Sequence, residues 1–430
     1  MLGLASALFV AGGLSLIPGP ASDSGSAEAG ASLGPARSGA DLTSRIDGLQ
    51  GRVRRVPGDF NSWAGLGLAY VEQARVSVDP AYYPKAQGVL ERSLSINTKD
   101  NFAAAAGMAA LAAARHDFAG ALDWAQRGLA INPFNPTLYG ALADAHIQLG
   151  HYPEAFEATQ RMVDLAPNTA SLARVSYAWE LRGDIDQARS NMTRALEMAA
   201  TPADKAFARY YLGELAFNAG DAATALGHYQ AGVAADPTYA PPLEGRAKAQ
   251  AALGQVDAAI ADYTALVARV PEPAYLVAFG ELLESLGRKA EAEAQYGLFE
   301  TVTTLFQANG VSLDAEQALF FADHGDPAAA LRAAEAGIAG RGFLDMDDAY
   351  AWALHVNGRN AEALAWSKKA LALGTRNALF HFHAGMIQLA LGDTEAGRAE
   401  LAAALAINPN FSTRWAPSAR QALDGGVKSR

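Results

Sequence analysis

The sequence predicts an all-α protein in which one helical hairpin repeats many times along the chain. Two observations lead to this prediction. Small residues recur in pairs twelve positions apart, and in most pairs a glycine stands five positions before the second member. Successive glycines of this kind lie 33, 37, 34, 33, 38, 33 and 34 residues apart. A period of this length, sustained over many copies, is typical of a helical solenoid.

The pairs extend from about residue 109 to residue 397. They are Ala109/Ala121, Ala143/Ala155, Ser176/Ala188, Gly213/Ala225, Ala247/Ala259, Gly280/Ala292, Ala318/Ala330, Ala351/Ala363 and Gly385/Gly397. The glycines are Gly150, Gly183, Gly220, Gly254, Gly287, Gly325, Gly358 and Gly392. We expect the small residues where two antiparallel helices cross most closely. Each glycine should end the first helix in a left-handed conformation that costs other residues roughly 1–2 kcal/mol.

Each hairpin also carries larger apolar residues at helical spacing, such as Leu142, Phe156 and Val163. These side chains must face the neighbouring hairpins, because one hairpin cannot bury them alone. Half of the residues are hydrophobic, and alanine, the best helix former, is used heavily. The composition therefore favours nearly continuous helix without strands, in one elongated body rather than several domains.

A motif and a set of prolines indicate the kind of hairpin. Trp63-x2-Leu66-Gly67-x2-Tyr70 matches the first-helix signature of the tetratricopeptide repeat. Prolines stand at the closing position of that repeat, at Pro57, Pro133, Pro167, Pro237, Pro271 and Pro409. The chain thus resembles tetratricopeptide-repeat proteins over roughly residues 57–409. The resemblance implies a right-handed superhelical solenoid of antiparallel helix pairs, with about ten repeats in residues 57–410.

The repeats are expected to end in caps, because an open end would leave an apolar face in water. Residues 41–56 place apolar side chains at spacings of four, three and four, which predicts an amphipathic N-terminal capping helix. Residues 411–430 are expected to form a C-terminal capping helix and tail. Within the array, Val76–Pro84 is predicted as a loop, and the helix through Phe299–Ala308 as an extended one.

The first 40 residues differ from the repeats. Residues 1–17 carry no charge and are strongly apolar, which is typical of a signal peptide or a membrane anchor. Residues 18–40 are rich in Gly, Ala, Ser and Pro and are predicted to be a disordered linker. We therefore expect an exported or membrane-tethered, extracytoplasmic protein. Because no Lys or Arg precedes Arg37, a cytoplasmic protein is the alternative.

Charge and composition exclude several classes of function. The net charge of −11 and a pI near 5.2 argue against nucleic acid as a partner. The densest basic cluster, Arg52, Arg54 and Arg55, is better explained as a complement to the dipole of a helix C-terminus. The absence of cysteine removes disulfides, thiolate catalysis and cysteine-ligated zinc.

The sequence offers no recognisable catalytic, cofactor or metal motif. His381 and His383 are two apart and would point about 200° apart on a helix, so they could not share a metal ion. Asp345, Asp347 and Asp348 fail the calcium-loop template and are better explained as N-capping residues of a helix. We therefore predict a protein that is not an enzyme, with no catalytic residues, no metal and no cofactor.

What remains is binding. In proteins that this chain resembles, the first helices of successive repeats line a concave groove. Positions there that are not used for packing hold Asp144, Gln148, Tyr177, Glu180, Tyr210, Glu214, Asn218, Glu244, Lys248, Glu281 and Glu284, and we expect them to be exposed. This surface is mostly acidic with interspersed aromatic residues, which favours a basic or neutral protein or peptide.

The sequence-based hypothesis is a non-enzymatic scaffold that binds a protein or peptide and assists the assembly or localisation of a complex. The resemblance supplies much of this hypothesis. The main alternative is an accessory subunit of an envelope transporter or enzyme system. A glycosyltransferase-like enzyme is a weaker alternative, because its relatives append a separate catalytic domain and the repeats here leave little chain for one.

Overall fold

The computed structural model describes residues 39–425, and this part of the chain is helical throughout, without strands. It contains 22 helices. They are α1 Gly39–Arg55, α2 Phe60–Ser77, α3 Tyr82–Ile96, α4 Phe102–Ala114, α5 Phe118–Ile131, α6 Pro136–Gln148, α7 Tyr152–Leu165, α8 Thr169–Glu180, α9 Ile185–Glu197, α10 Pro202–Asn218 and α11 Ala222–Ala235. They continue with α12 Pro241–Ala252, α13 Val256–Arg269, α14 Pro273–Ser285, α15 Lys289–Ala308, α16 Asp314–Asp323, α17 Pro327–Gly340, α18 Leu344–Val356, α19 Asn360–Ala370, α20 Ala378–Ala390, α21 Thr394–Ile407 and α22 Trp415–Leu423.

Helices α2 to α21 pair into ten consecutive hairpins, with α1 before the first and α22 after the last. This α-α solenoid is the predicted fold class. The expected leader, residues 1–17, and nearly all of the expected linker, residues 18–40, lie outside the described residues. Within residues 39–425, no helix is both long enough and apolar enough to cross a membrane.

A short turn joins the two helices of each hairpin. All eight predicted turn glycines have positive φ, from 74° at Gly183 to 92° at Gly325. An aspartate often follows, as Asp184 does, and caps the second helix by accepting a hydrogen bond from a backbone N–H, here that of Gln187 at 3.0 Å. In the second hairpin His116 takes the glycine position with φ of 61°. The turn geometry is therefore kept even where glycine is absent.

The paired small residues lie at the helix crossings, as predicted. Ala143 and Ala155 are fully buried, and the hydroxyl of Ser176 donates to the carbonyl of Ala188 at 2.7 Å. A Cβ atom added to Gly385 would lie 2.9 Å from the carbonyl oxygen of Gly397. The backbones approach so closely there that larger side chains would not fit.

Distant hairpins also touch, because the superhelix stacks one turn upon the next. Four successive hairpin turns, at residues 115–116, 150, 183 and 220, contact the loops near residues 312, 342, 374 and 408. The backbone N–H of Ser312 donates to the carbonyl of Arg115, and Asn408 Nδ2 donates to the carbonyl of Phe217 at 2.8 Å. The contacts join residues about 190 positions apart, so the superhelix completes a turn in fewer than six repeats.

Some local details differ from the sequence-based expectations. The predicted loop at Val76–Pro84 is shorter, because α2 continues to Ser77 and α3 begins at Tyr82. Val78 ends α2 with φ of 51°, an unusual conformation for a β-branched residue. The extended helix was predicted correctly, since α15 has 20 residues and ends at Ala308.

The aspartate cluster at the start of α18 is also not used as predicted. Asp345 and Asp347 do lie in the first turn, but Phe343 is the N-cap and no side chain caps the helix there. Asp347 accepts from Lys369 Nζ at 2.8 Å, and Asp348 pairs with His383 Nδ1 at 2.8 Å. The carboxylates therefore connect α18 to later helices.

Candidate functional site

A cavity of about 330 Å³ lies on the inner side of the superhelix. The first helices α10, α12, α14 and α16 form one wall, and the segment before and within α22 forms the opposite wall. Aromatic rings and carboxylates alternate around it. The residues that line it include Tyr210, Glu214, Glu244, Lys248, Tyr263, Glu272, Tyr275, Glu281, Asp323, His324 and Trp415.

An internal ion pair closes one side of the cavity. Lys248 Nζ lies 2.8 and 3.0 Å from the two carboxylate oxygens of Glu214, whose side chain is 2% exposed. The hydroxyl of Tyr229 donates a third hydrogen bond to this carboxylate. Burial alone would lower the pKa of Lys248, but Glu214 and Glu244 outweigh it and raise the pKa. Glu214 is therefore fully occupied by α11 and α12 and is a structural group.

Two other carboxylates, Glu281 on α14 and Glu272 at the N-cap of α14, form no such ion pair with a lysine of residues 39–425. The nearest basic group to Glu281 is Nε2 of His324, at 3.9 Å, and this nitrogen has no hydrogen-bond partner among the described residues. Burial and then Asp323 raise the pKa of Glu281 to about 7, while burial and Arg414 lower the pKa of His324 to about 4. Burial also raises the pKa of Glu272 to about 7, opposed by a hydrogen bond from Tyr275.

Two carboxylates along this wall share one lysine. Glu244 lies 3.7 Å from Lys248 Nζ, which also pairs with Glu214, and burial raises the pKa of Glu244. Burial, with Glu244, Glu281 and Glu214 adding to its effect, raises the pKa of Tyr263 well above its usual value.

The opposite wall is held by Asp323. Its two carboxylate oxygens accept from the indole N–H groups of Trp352 at 2.7 Å and Trp415 at 3.1 Å. Arg414 donates to Glu284 at 2.8 Å and to the carbonyl of Asp323. These contacts fix the C-terminal segment across the inner side of the superhelix, opposite α14.

The structure corrects the expected exposure of the predicted groove residues. None of the eleven is exposed; Asp144, Gln148, Tyr177, Tyr210, Glu214 and Glu244 are buried and the others half-buried. The prediction was wrong because other side chains of the solenoid already contact these residues: Lys248 and Tyr229 bind Glu214, and Arg174 binds Asp144. Whether these residues bind a partner stays a prediction.

The predicted residues also divide among five places. Tyr210, Glu214, Glu244, Lys248 and Glu281 line the cavity. Tyr177, Glu180 and Asn218 line a separate pocket of about 60 Å³, where burial and Glu214 raise the pKa of Glu180 to about 7.

The remaining three have structural contacts. Asp144 forms a buried ion pair with Arg174, with Nε to Oδ1 at 2.8 Å. Gln148 accepts from Arg341 at 2.6 Å across the stacked turns, and Glu284 pairs with Arg414.

Sequence reasoning missed the tyrosines of the second helices. Tyr229, Tyr263 and Tyr296 recur 34 and 33 residues apart, in phase with the repeats. A Cβ added to Gly213 or Gly245 would collide with the ring of Tyr229, and one added to Gly280 with that of Tyr296. The glycines therefore let tyrosine rings cross the hairpin, so that the hydroxyls reach glutamates of the first helices. The repeat period itself was the signal that could have found them.

No group of three or more metal-ligating side chains occurs within residues 39–425. The two histidines of α20 bind different partners, as their spacing predicted. His381 Nδ1 lies 2.6 Å from Glu400, and His383 Nδ1 contacts Asp348 on the other side of the helix. Both pairs are explained by packing.

The fold and the site define a class of protein: a solenoid of helical hairpins with an acidic, aromatic cavity on its inner side. Family models of the tetratricopeptide repeat match residues 172–240, 245–298 and 378–411. The matched segments cover α8 to part of α15, and then α20 and α21. These matches, with the hairpin fold, support a tetratricopeptide-repeat protein.

Solved structures with similar folds include a tetratricopeptide repeat protein from Parabacteroides merdae, with 21% identity, coverage of 60% of this chain and 97% of that one, and a TM-score of 0.35. The Cut9–Hcn1 hetero-tetramer of APC/C is 15% identical, with coverage of 90% and 82% and a TM-score of 0.40. A human IFIT1 dimer with m7Gppp-AAAA is 14% identical, with 78% of each chain covered and a TM-score of 0.46. No curated protein matches the sequence.

Proposed function

We propose that this protein is a non-catalytic scaffold that binds another protein or peptide and assists the assembly or localisation of a complex. The tandem tetratricopeptide repeats carry this proposal, since such hairpins suggest a protein-interaction scaffold. A stack of ten hairpins presents a long helical surface whose shape does not depend on a bound ligand. Binding is the function that such a surface supports best.

The charge on the inner side of the superhelix indicates the charge of the partner that it favours. Six carboxylates line the cavity, from Glu214, Glu244, Glu272, Glu281, Glu316 and Asp323, and the basic side chains of the lining are Lys248, Arg420 and His324. An acidic surface repels acidic partners and lowers the free energy of binding basic ones. We therefore expect a basic or neutral partner.

We further propose that the protein acts outside the cytoplasm. The basis is the uncharged apolar stretch of residues 1–17, followed by the Gly-, Ala-, Ser- and Pro-rich residues 18–40. A retained apolar segment would tether the repeats to a membrane, and a cleaved one would release them. Either arrangement suits a scaffold for envelope proteins.

The test combines fractionation with crosslinking of the full chain tagged at its C-terminus. The proposal expects the tagged protein in the membrane or extracytoplasmic fraction, crosslinked to one reproducible protein partner. Recovery only from the cytosol would contradict the location. Turnover of a substrate by the purified protein without any partner would contradict the scaffold.

A further inference from the structure

Among the described residues, six carboxylates and three basic side chains line the cavity, and no lysine or arginine lies within 4 Å of Glu281. Lys248 is shared between Glu214 and Glu244, and Arg420 donates to the carbonyl of Pro409. The nearest basic group to Glu281 is the imidazole of His324, too far away for a hydrogen bond. A buried carboxylate without a cation is costly, so a site of this kind gains free energy when a cation enters.

The residues that line the cavity suit a cation that carries an aliphatic chain. Tyr210, Tyr263 and Tyr275 line the same side as the glutamates, and Phe411 and Trp415 face them from the C-terminal segment. Aromatic faces attract ammonium groups, and carboxylates accept their hydrogen bonds. A volume of about 330 Å³ lies at the small end of the range for ligand pockets, about 300–1,000 Å³.

One position in the cavity is especially suited to an N–H donor. Glu281 and His324 Nε2 lie 3.9 Å apart without a hydrogen bond between them. In the tautomer that carries its proton on Nδ1, the imidazole offers Nε2 as a second acceptor beside the carboxylate. The ring packs against Tyr296 and Phe320, with centroids at 4.3 and 4.7 Å. The pair is therefore a rigid double acceptor.

We infer that this cavity binds an alkylammonium group, with Glu281 and His324 as its acceptors and the tyrosines of the inner side as its walls. The inference deepens the proposed function and rests on it, since the cavity lies on the surface assigned to the partner. The ammonium group can come from a lysine side chain of a partner peptide or from a free aliphatic amine. The chemistry of recognition is the same in both cases.

Calorimetric titration of the full chain at about pH 8 tests the inference, because carboxylates are then ionised and alkylamines protonated. The probes are 1,5-diaminopentane and a neutral-flanked peptide with one internal lysine, compared with the same peptide carrying norleucine. Saturable binding of either cationic probe, but not of the norleucine peptide, is expected. Binding of the diamine alone indicates a free amine as the ligand, and binding of the peptide alone indicates a side chain.

Glu281→Gln should weaken binding by about tenfold or more, because it removes the charge partner of a desolvated cation. Glu281 accepts no hydrogen bond that holds the fold together, and unchanged helical content would verify this. The matched control is Glu293→Gln, the same change on the exposed outer side of α15. His324→Phe, which removes the second acceptor and keeps an aromatic ring against Tyr296 and Phe320, is a second variant, for use if the first does not fold. Absence of saturable binding by both cationic probes, or equal affinity in Glu281→Gln and the parent, would overturn the inference.

Different results would contradict the scaffold function and the ammonium site. A crosslinked protein partner together with absent amine binding leaves the scaffold in place and removes the ammonium site. Saturable amine binding without any protein partner leaves the site in place and removes the scaffold.

Discussion

The hydroxyl of Tyr229 on α11 donates a hydrogen bond to the buried carboxylate of Glu214 on α10, across the crossing of the two helices. The ring reaches the inner side because Gly213 and Gly245 leave no side chain in its path. Tyr296 repeats the arrangement by donating to Glu284 at 3.1 Å. The small residues of the repeat thus bring second-helix tyrosines to first-helix glutamates, and so help to build the cavity wall.

Removal of the Tyr229 hydroxyl should lower the free energy of unfolding. Tyr229→Phe leaves the buried Glu214 with one hydrogen-bond donor fewer, which costs about 1.5–3 kcal/mol for a bond to a charged group. Denaturant unfolding measures the loss. Tyr139→Phe is the control, because this half-buried tyrosine has no hydroxyl partner among the described residues, and it should change stability by less. Equal stability of the two variants would mean that the Tyr229 bond adds nothing.

The contacts between stacked turns can be isolated with two glycine variants. Gly150 and Gly254 have φ of 76° and 75°, so alanine costs roughly 1–2 kcal/mol in either turn. At Gly150 the new Cβ would also collide with the carbonyl of Gly342, whereas at Gly254 nothing lies within 4 Å. Gly150→Ala should therefore be the more destabilising, by about 1–3 kcal/mol more. Equal free energies of unfolding would contradict the turn stacking.

The helix crossings are tested by adding volume. Ala225 is fully buried at its crossing, and Ala225→Leu should destabilise the protein by about 1–3 kcal/mol through overpacking. Ala223 lies on the exposed side of the same helix, so Ala223→Leu should change the melting temperature little. If both variants melt like the parent, the register of this hairpin is wrong.

Near neutral pH, the free energy of unfolding should increase as the pH falls. Burial raises the pKa of Glu180, Glu272, Glu281 and Asp345 to about 7, above the value in an unfolded chain. Between about pH 8 and 6.5 the folded state therefore takes up protons that the unfolded state does not, and stability rises as pH falls. We expect a gain on the order of 1–3 kcal/mol in the free energy of unfolding.

Below about pH 6.5 two buried histidines should offset part of this gain. Burial and then Arg341 lower the pKa of His116 to about 4, and the pKa of His324 is lowered similarly, so at these two residues the unfolded state binds protons first. Around Glu281 the facing groups are Asp323, His324, Glu284 and Arg414. Glu281→Gln should make the free energy of unfolding depend less on pH between pH 8 and 6.5. A melting temperature that rises with pH over this range would contradict the raised pKa values of the buried carboxylates.

The sequence predicted the hairpin and its register well, because both depend on local chemistry. Glycine turns, small residues at crossings and apolar spacing are each determined within about 34 residues. A prediction that relies on finding a glycine misses the turn at His116, which keeps the same geometry without glycine.

The site was harder to predict, because it depends on contacts between distant residues, such as Arg414 with Glu284, which are 130 positions apart. Asp144 and Gln148 appeared free for a ligand, but Arg174 and Arg341 already bind them. The ion pair of Glu214 with Lys248 joins neighbouring repeats, so it leaves no sign in any single repeat. The pairing of Trp415 with Asp323, which forms the far wall, is equally invisible in the repeat pattern.

Site-specific photocrosslinking tests the central claim, that a partner binds the inner side of the superhelix, most directly. A benzophenone amino acid would replace Val277, which lines the cavity, or Phe134, which is 69% exposed outside it. The account predicts a light-dependent adduct with one partner protein from position 277 and none from position 134. An adduct from position 134 alone would contradict it.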